Sequence, residues 1–171
     1  MKLAGKKMTN GDYFKKFVVN LGMERKENNN IVSEAVVEYR RTGKLSTRNR
    51  GGIMSWIRGG IEFDFFQNLV SKYPFSIEEW SGFLHLSERT LQRYKKESKN
   101  FDSLQSEKII QISMFYQRGV EVFGSKENFD IWLDSNNLSL GGVKPKELLD
   151  NAFGIALLDE ELTRIEHGIL A

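Results

Sequence analysis

The chain has 171 residues, 40% of them hydrophobic and 12% aromatic, which is enough apolar material for a packed core and too much for a disordered chain. It contains no cysteine, which excludes disulfides, thiolate metal sites and cysteine nucleophiles together. Its 25 basic and 23 acidic residues nearly cancel overall but not locally: residues 1–58 hold 13 basic against 5 acidic, 59–124 hold 8 against 9, and 125–171 hold 4 against 9. Such asymmetry points to an anionic partner near the basic end, with a merely solubilising tail as the plainer reading. No apolar run is long enough to span a bilayer, and Met1 to Lys7 lacks the hydrophobic stretch of a signal peptide, so a cytoplasmic protein is expected.

Only two prolines, Pro74 and Pro145, and little alternation of apolar and polar residues predict an all-α protein. Residues 12–21 and 31–41 have helical spacing, the first stopped by Gly22 and the second near Gly43. The basic stretch through Arg48, Asn49, Arg50, Gly51 and Gly52 follows as a linker, so residues 1–51 form an N-terminal extension. Next come a short helix over 53–58 and a helix over 61–72 with Ile61, Phe65, Phe66 and Leu69 inward. Leu104 to Phe123 is the longest amphipathic stretch, with Ile109, Ile112, Phe115, Tyr116 and Val122 as core. Its apolar surface exceeds what a domain this small should leave exposed, so self-association is expected.

Residues 75–96 fit a helix-turn-helix within a domain spanning 52–123. Ser76 and Glu79 form a capping box, the serine hydroxyl accepting from the Glu79 amide while the carboxylate reaches back. Trp80, Leu84, Leu86, Leu91 and Tyr94 fill the apolar slots where two such helices touch, with Ser81 the small residue at the crossing. His85 occupies the turn, where positive φ is needed and histidine is among the better non-glycine choices. Ser87 caps the second helix. On it, Arg89, Thr90, Gln92 and Arg93 avoid the inward face and can meet base edges in the major groove. Lys95, Lys96 and Lys99 suit phosphates, which position a protein without reading sequence.

Residues 124–171 form a further small helical domain. Phe129, Trp132 and Leu133 make an apolar stripe, Leu140, Gly141 and Gly142 a tight reversal, and Pro145 starts a helix carrying Leu148 and Leu149. Asp159, Glu160 and Glu161 look like catalytic acids but read better as first-turn residues complementing a helix dipole. His85 and His167 have no second ligand at metal spacing, and no nucleophile elbow or phosphate loop occurs. No catalytic residue, metal or cofactor is expected.

The ordered set Phe129, Trp132, Leu133, Asn137, Leu140, Gly141, Gly142, Pro145, Leu148, Leu149, Gly154, Leu162, Arg164, Ile165, Glu166 and Gly168 resembles the C-terminal toxin-binding domain of the Xre/ParS/MbcA antitoxins of type II toxin–antitoxin pairs. Leu86 to Tyr94 likewise looks like the Xre-type helix-turn-helix that precedes it. The resemblance implies a dimer that binds operator DNA, represses its own operon and neutralises a toxin, commonly a RES-type toxin that consumes NAD. It also implies that the C-terminal region enters the toxin's active-site cleft, with Arg164, Glu166, Gly168, Ile169, Leu170 and Ala171 as the matching positions. The alternative is a stand-alone transcription regulator whose C-terminal domain only dimerises.

Overall fold

The computed structural model describes Met54 and residues 57–168. The helices expected over 12–21, 31–41 and most of 53–58, the boundary near Gly52, and residues 169–171 lie outside the described residues. Among the described residues the chain is helical and has no strand. The six full helices are α1 (Phe63–Val70), α2 (Ile77–Phe83), α3 (Glu88–Glu97), α4 (Ser103–Phe123), α5 (Lys126–Leu133) and α6 (Ala152–Glu166), with short 3-10 turns at Leu138–Leu140 and Pro145–Asp150.

Local chemistry sets most of these boundaries. The Ser76 hydroxyl accepts from the Glu79 amide at 3.0 Å, and the Ser76 amide donates to Glu79 Oε2 at 2.7 Å, so the expected capping box is present. A second box opens α4, where Asp102 caps Leu104 and Gln105 and the Gln105 side chain returns to the Asp102 amide. Helix α3 starts at Ser87, whose hydroxyl accepts from the Thr90 amide at 3.1 Å.

One boundary differs from expectation for a tertiary reason. Helix α1 begins at Phe63, not Ile61. The Ile61 amide donates to Ser106 Oγ at 2.9 Å and its carbonyl accepts from the Phe101 amide at 2.8 Å. With both backbone groups claimed by the approach to α4, Ile61 serves as a buried strut rather than a helical residue. Phe63 then takes an inward place and Phe65 is only half-buried.

Helix α4 is the axis of the molecule. Ile109, Ile112, Phe115 and Tyr116 are buried as expected, while Val122 is half-buried. Its apolar side chains are spent inside the chain, with only Leu104 left strongly exposed, so the argument for self-association from this helix does not hold. One continuous core runs from Ile61 to Leu162. Aromatic rings carry it between the two halves: Trp80 stacks on Tyr73 at 6.2 Å, Tyr73 meets Tyr116 at 4.4 Å, and Tyr116 meets Phe129 at 5.3 Å. Burial pushes the Tyr73 hydroxyl up to about 12, and burial, followed by the bond to Asp130, pushes Tyr116 well above its ordinary value.

Two glycines permit the closest approaches. A β-carbon at Gly119 would sit 2.0 Å from Phe129 Cζ, so α5 can dock on α4 only because that position is bare. At Gly154 it would sit 2.1 Å from the Leu148 carbonyl oxygen, where α6 meets the 3-10 turn before it.

Candidate interaction surfaces

The helix-turn-helix expectation maps closely onto α2 and α3. Trp80, Leu84, Leu91 and Tyr94 are buried and Leu86 is half-buried against the same core. Ser81 is buried at the crossing, its hydroxyl satisfied by the Glu78 carbonyl at 2.8 Å. His85 has φ +52°, and the Leu86 amide closes the turn onto the Ser81 carbonyl at 2.9 Å. The Trp80 indole nitrogen is buried without a hydrogen-bond partner, and the rings of Phe66, Phe75 and Phe83 pack edge to face with the indole.

Arg89, Gln92, Arg93 and Lys96 recur at helical spacing and are exposed, with Lys95 and Lys99 beside them. Among the described residues none of Arg89, Arg93, Lys95 or Lys96 is held in an ion pair. Lys99 lies with its ammonium 4.8 Å from the Tyr94 ring centroid. Thr90 differs from the others: it is half-buried, and its hydroxyl lies 2.9 Å from Ser87 Oγ within the helix cap. Its hydrogen-bonding capacity is therefore largely local.

The start of α2 is also tied to the C-terminal half. Lys146 Nζ lies 2.8 Å from Glu79 Oε1 and 2.9 Å from Asp134 Oδ1, and Lys144 reaches the same Asp134 oxygen at 2.9 Å. Burial opposes ionisation of Glu79, but Lys146 and Ser76 together outweigh it and hold the carboxyl below its ordinary value. Hydrogen bonds from Lys146 and then Lys144 bring Asp134 down to about 2, and those to Glu79 and Asp134 raise Lys146.

In the C-terminal half, Arg118 of α4 clamps the last turns of α6. One terminal nitrogen donates to the Asp159 carbonyl at 3.1 Å and Oδ1 at 3.0 Å; the other donates to Thr163 Oγ1 at 2.7 Å and Glu166 Oε2 at 3.5 Å. Burial pushes the Asp159 carboxyl up, with Arg118 working in the opposite direction. Sequence reasoning missed Arg118. It lies 41 to 48 positions from its partners and no local pattern marks it.

The acidic run 159–161 is corrected in place and role. It lies in the middle of α6, not in its first turn, so the helix dipole does not account for it. Its members diverge: Asp159 faces Arg118, Glu160 is exposed, and Glu161 is buried against Ser139 and Arg164. Of the C-terminal candidates, Arg164 is exposed and lies 3.3 Å from Glu161, and Glu166 is exposed beside Arg118. Gly168 has φ +66° just past α6, its amide bonded to the Ile165 carbonyl. Ile169, Leu170 and Ala171 are outside the described residues. Among the described residues no cluster of His, Asp and Glu has the arrangement to hold a metal ion, and no helix is long and apolar enough to cross a membrane.

The described residues thus form a two-part helical protein, a helix-turn-helix joined through one core to a compact helical module. Within it, residues 56–113 match the family model of the antitoxin Xre-like helix-turn-helix domain, and residues 118–168 match that of the antitoxin Xre/MbcA/ParS C-terminal toxin-binding domain. Both matched segments are thus antitoxin domains, a helix-turn-helix of the Xre-like type and a toxin-binding domain of the Xre/MbcA/ParS type, and neither family is an enzyme family. No curated protein matches the chain. Among solved structures, a chain from the crystal structure of the M. tuberculosis MbcT–MbcA toxin–antitoxin complex is similar at 14% identity and a TM-score of 0.47, covering 61% of this chain and 93% of that one.

Proposed function

We propose that this antitoxin neutralises its toxin through the C-terminal end of α6 and the residues after it, and binds operator DNA through α3 to repress its own operon. The observation that carries the reading is the presence, on one continuous core, of an uncommitted cationic helix face and a toxin-binding segment. In this reading the helix-turn-helix domain spans 52–123 and the toxin-binding domain 124–171. Arg89, Gln92 and Arg93 read bases, Lys95, Lys96 and Lys99 position the helix on phosphates, and Thr90 contributes mainly to the cap. The protein acts in the cytoplasm as a dimer on paired half-sites.

The proposed partner is a RES-type toxin that consumes NAD. A cleft that holds a pyrophosphate presents basic side chains, and Glu166 is suited to meet them. Its present pair with Arg118 is long, at 3.5 Å, with Glu166 exposed and Arg118 half-buried. Such a pair is weak and can be exchanged. Inside a desolvated cleft the new pair is much harder to break from one side, costing about 2–5 kcal/mol.

The test is co-expression with the toxin encoded by the adjoining reading frame, with growth and cellular NAD as readouts. Removing residues 168–171 should release toxicity and NAD loss while operator binding persists. Full protection by the shortened chain would show that the segment after α6 is not the inhibitor.

A further inference from the structure

Leu138 is 93% exposed, the most exposed large apolar side chain among the described residues. A lone exposed leucine ordinarily calls for no explanation. Leu104, Ile131 and Phe153 are exposed on helices, whereas Leu138 stands on a short turn that is braced from beneath. The Asn137 side-chain oxygen accepts from the Ser139 amide at 2.9 Å, and the Asn137 amide donates to the Val143 carbonyl at 3.0 Å. The Gly142 amide closes the loop onto the Asn137 carbonyl at 2.8 Å, with Gly141 and Gly142 both at positive φ.

The tip is then bolted to α6. Ser139 Oγ lies 2.7 Å from Asn137 Oδ1 and 2.6 Å from Glu161 Oε1. The hydroxyl has one proton, and the carboxylate is the stronger acceptor, so it goes to Glu161. Glu161 is only 7% exposed, and its other oxygen accepts from Arg164 at 3.3 Å. Burying a carboxylate is unfavourable unless it is paired and hydrogen-bonded. Here a buried, bonded carboxylate anchors a three-residue turn whose middle side chain touches little of its own chain.

We propose that Leu138 is a docking knob that enters an apolar pocket on the cognate toxin, a contact separate from the residues after α6. The proposal rests on the antitoxin reading above. Two observations favour the toxin as occupant. The tip lies within the segment that matches the toxin-binding domain. Its anchor on α6, Glu161, is about two turns from Gly168, where the inhibitory segment leaves the helix. The excess of acidic residues over 125–171 argues against nucleic acid. A preformed tip binds without the cost of ordering a loop at the moment of contact.

The experiment measures binding of the purified full chain to that toxin, with self-association followed by sedimentation. Leu138→Ser should weaken toxin binding about tenfold or more, mainly through faster dissociation. Leu138→Met should stay within about twofold. Operator affinity and Tm should not move in either variant. Asn137→Ala, which keeps the leucine but removes the acceptor that shapes the turn, should also weaken toxin binding. If Leu138→Ser binds toxin like the parent while removal of residues 168–171 abolishes binding, the knob is refuted and the antitoxin reading survives. If the full chain does not bind this toxin at all, the underlying reading fails. Loss of self-association in Leu138→Ser with unchanged toxin affinity would assign the knob to a second copy and also overturn the proposal.

Discussion

The exposed face of α3 and the surface around the end of α6 handle charge in opposite ways. Among the described residues, Arg89, Arg93, Lys95 and Lys96 have no ion-pair partner, whereas Arg118, Asp159, Glu161, Arg164 and Glu166 are all engaged with one another or with neighbouring hydroxyls. Unpaired, exposed cations suit a polyanion: contacts to phosphates act by counterion release, and Arg89 and Arg93 stay free to meet base edges. Paired charges held in place by the fold suit a partner with a particular shape: Glu161 is buried and bonded, and the exposed Glu166 is left to exchange its weak pair. The lesson is that two proposed binding surfaces on one core can be prepared differently, one with its charges left unpaired and the other with them paired in advance.

The sharpest way to break the comparison is to attack the core that both surfaces share. Phe129 is buried against Phe115, Tyr116, Phe123 and Trp132 and fills the space left by Gly119. Phe129→Ala should cost about 3–5 kcal/mol of stability. Calorimetry should show one transition moving down, with operator and toxin binding lost together; two separate transitions would mean that the halves fold independently.

Next in size is the loose face itself. Arg89→Ala and Arg93→Ala should each cost about 1–3 kcal/mol of discrimination between operator and unrelated DNA. Lys96→Ala should instead weaken all sequences alike and flatten the salt slope by about one unit. A double Arg89→Ala/Arg93→Ala variant with unchanged operator affinity would remove α3 from the groove.

The turn between α2 and α3 offers a gain rather than a loss. His85 sits at φ +52°, where a side chain clashes with its own backbone and glycine does not. His85→Gly should raise stability by about 1 kcal/mol, offset in part by the greater freedom of glycine in the unfolded chain. Denaturant midpoints would show it, and a fall in midpoint would mean that the imidazole makes a compensating contact.

The smallest effect tests the tie between the two regions. Asp134 is depressed from its ordinary 3.8 to about 2, so the stability it contributes is present above 3.8 and is lost as pH falls through about 2. Glu79 is shifted in the same direction. Lys146 is raised, so its contribution is present below 10.5 and is lost only as pH rises through its folded value. Lys146→Met should therefore lower Tm at neutral pH, and its difference from the parent should shrink as pH falls from 4 towards 2. A difference that does not change over that range would show that Lys146 acts by packing alone.

The helix-turn-helix was legible because its rules are local. A cap at Ser76 and another at Ser87, an apolar slot every three or four residues and a turn residue tolerant of positive φ act over a few positions, and each is where expected. The reversal at Gly141 and Gly142 was legible for the same reason. The acidic run was misplaced because the Asn151 cap, a local signal like the others, was overlooked, and α6 starts seven residues before Asp159 with Gly154 packed under the Leu148 carbonyl.

What the sequence determined by itself was the all-α class, the helix-turn-helix and the family, since these follow from periodicity, caps and an ordered set of residues. Tertiary structure alone decided that Ile61 is a strut, that the apolar face of α4 is internal, and that Arg118, Lys146 and Glu161 tie distant segments together. The physical reason is that caps and turns are satisfied within a few residues, whereas a buried or paired charge takes whichever partner the packing brings to it.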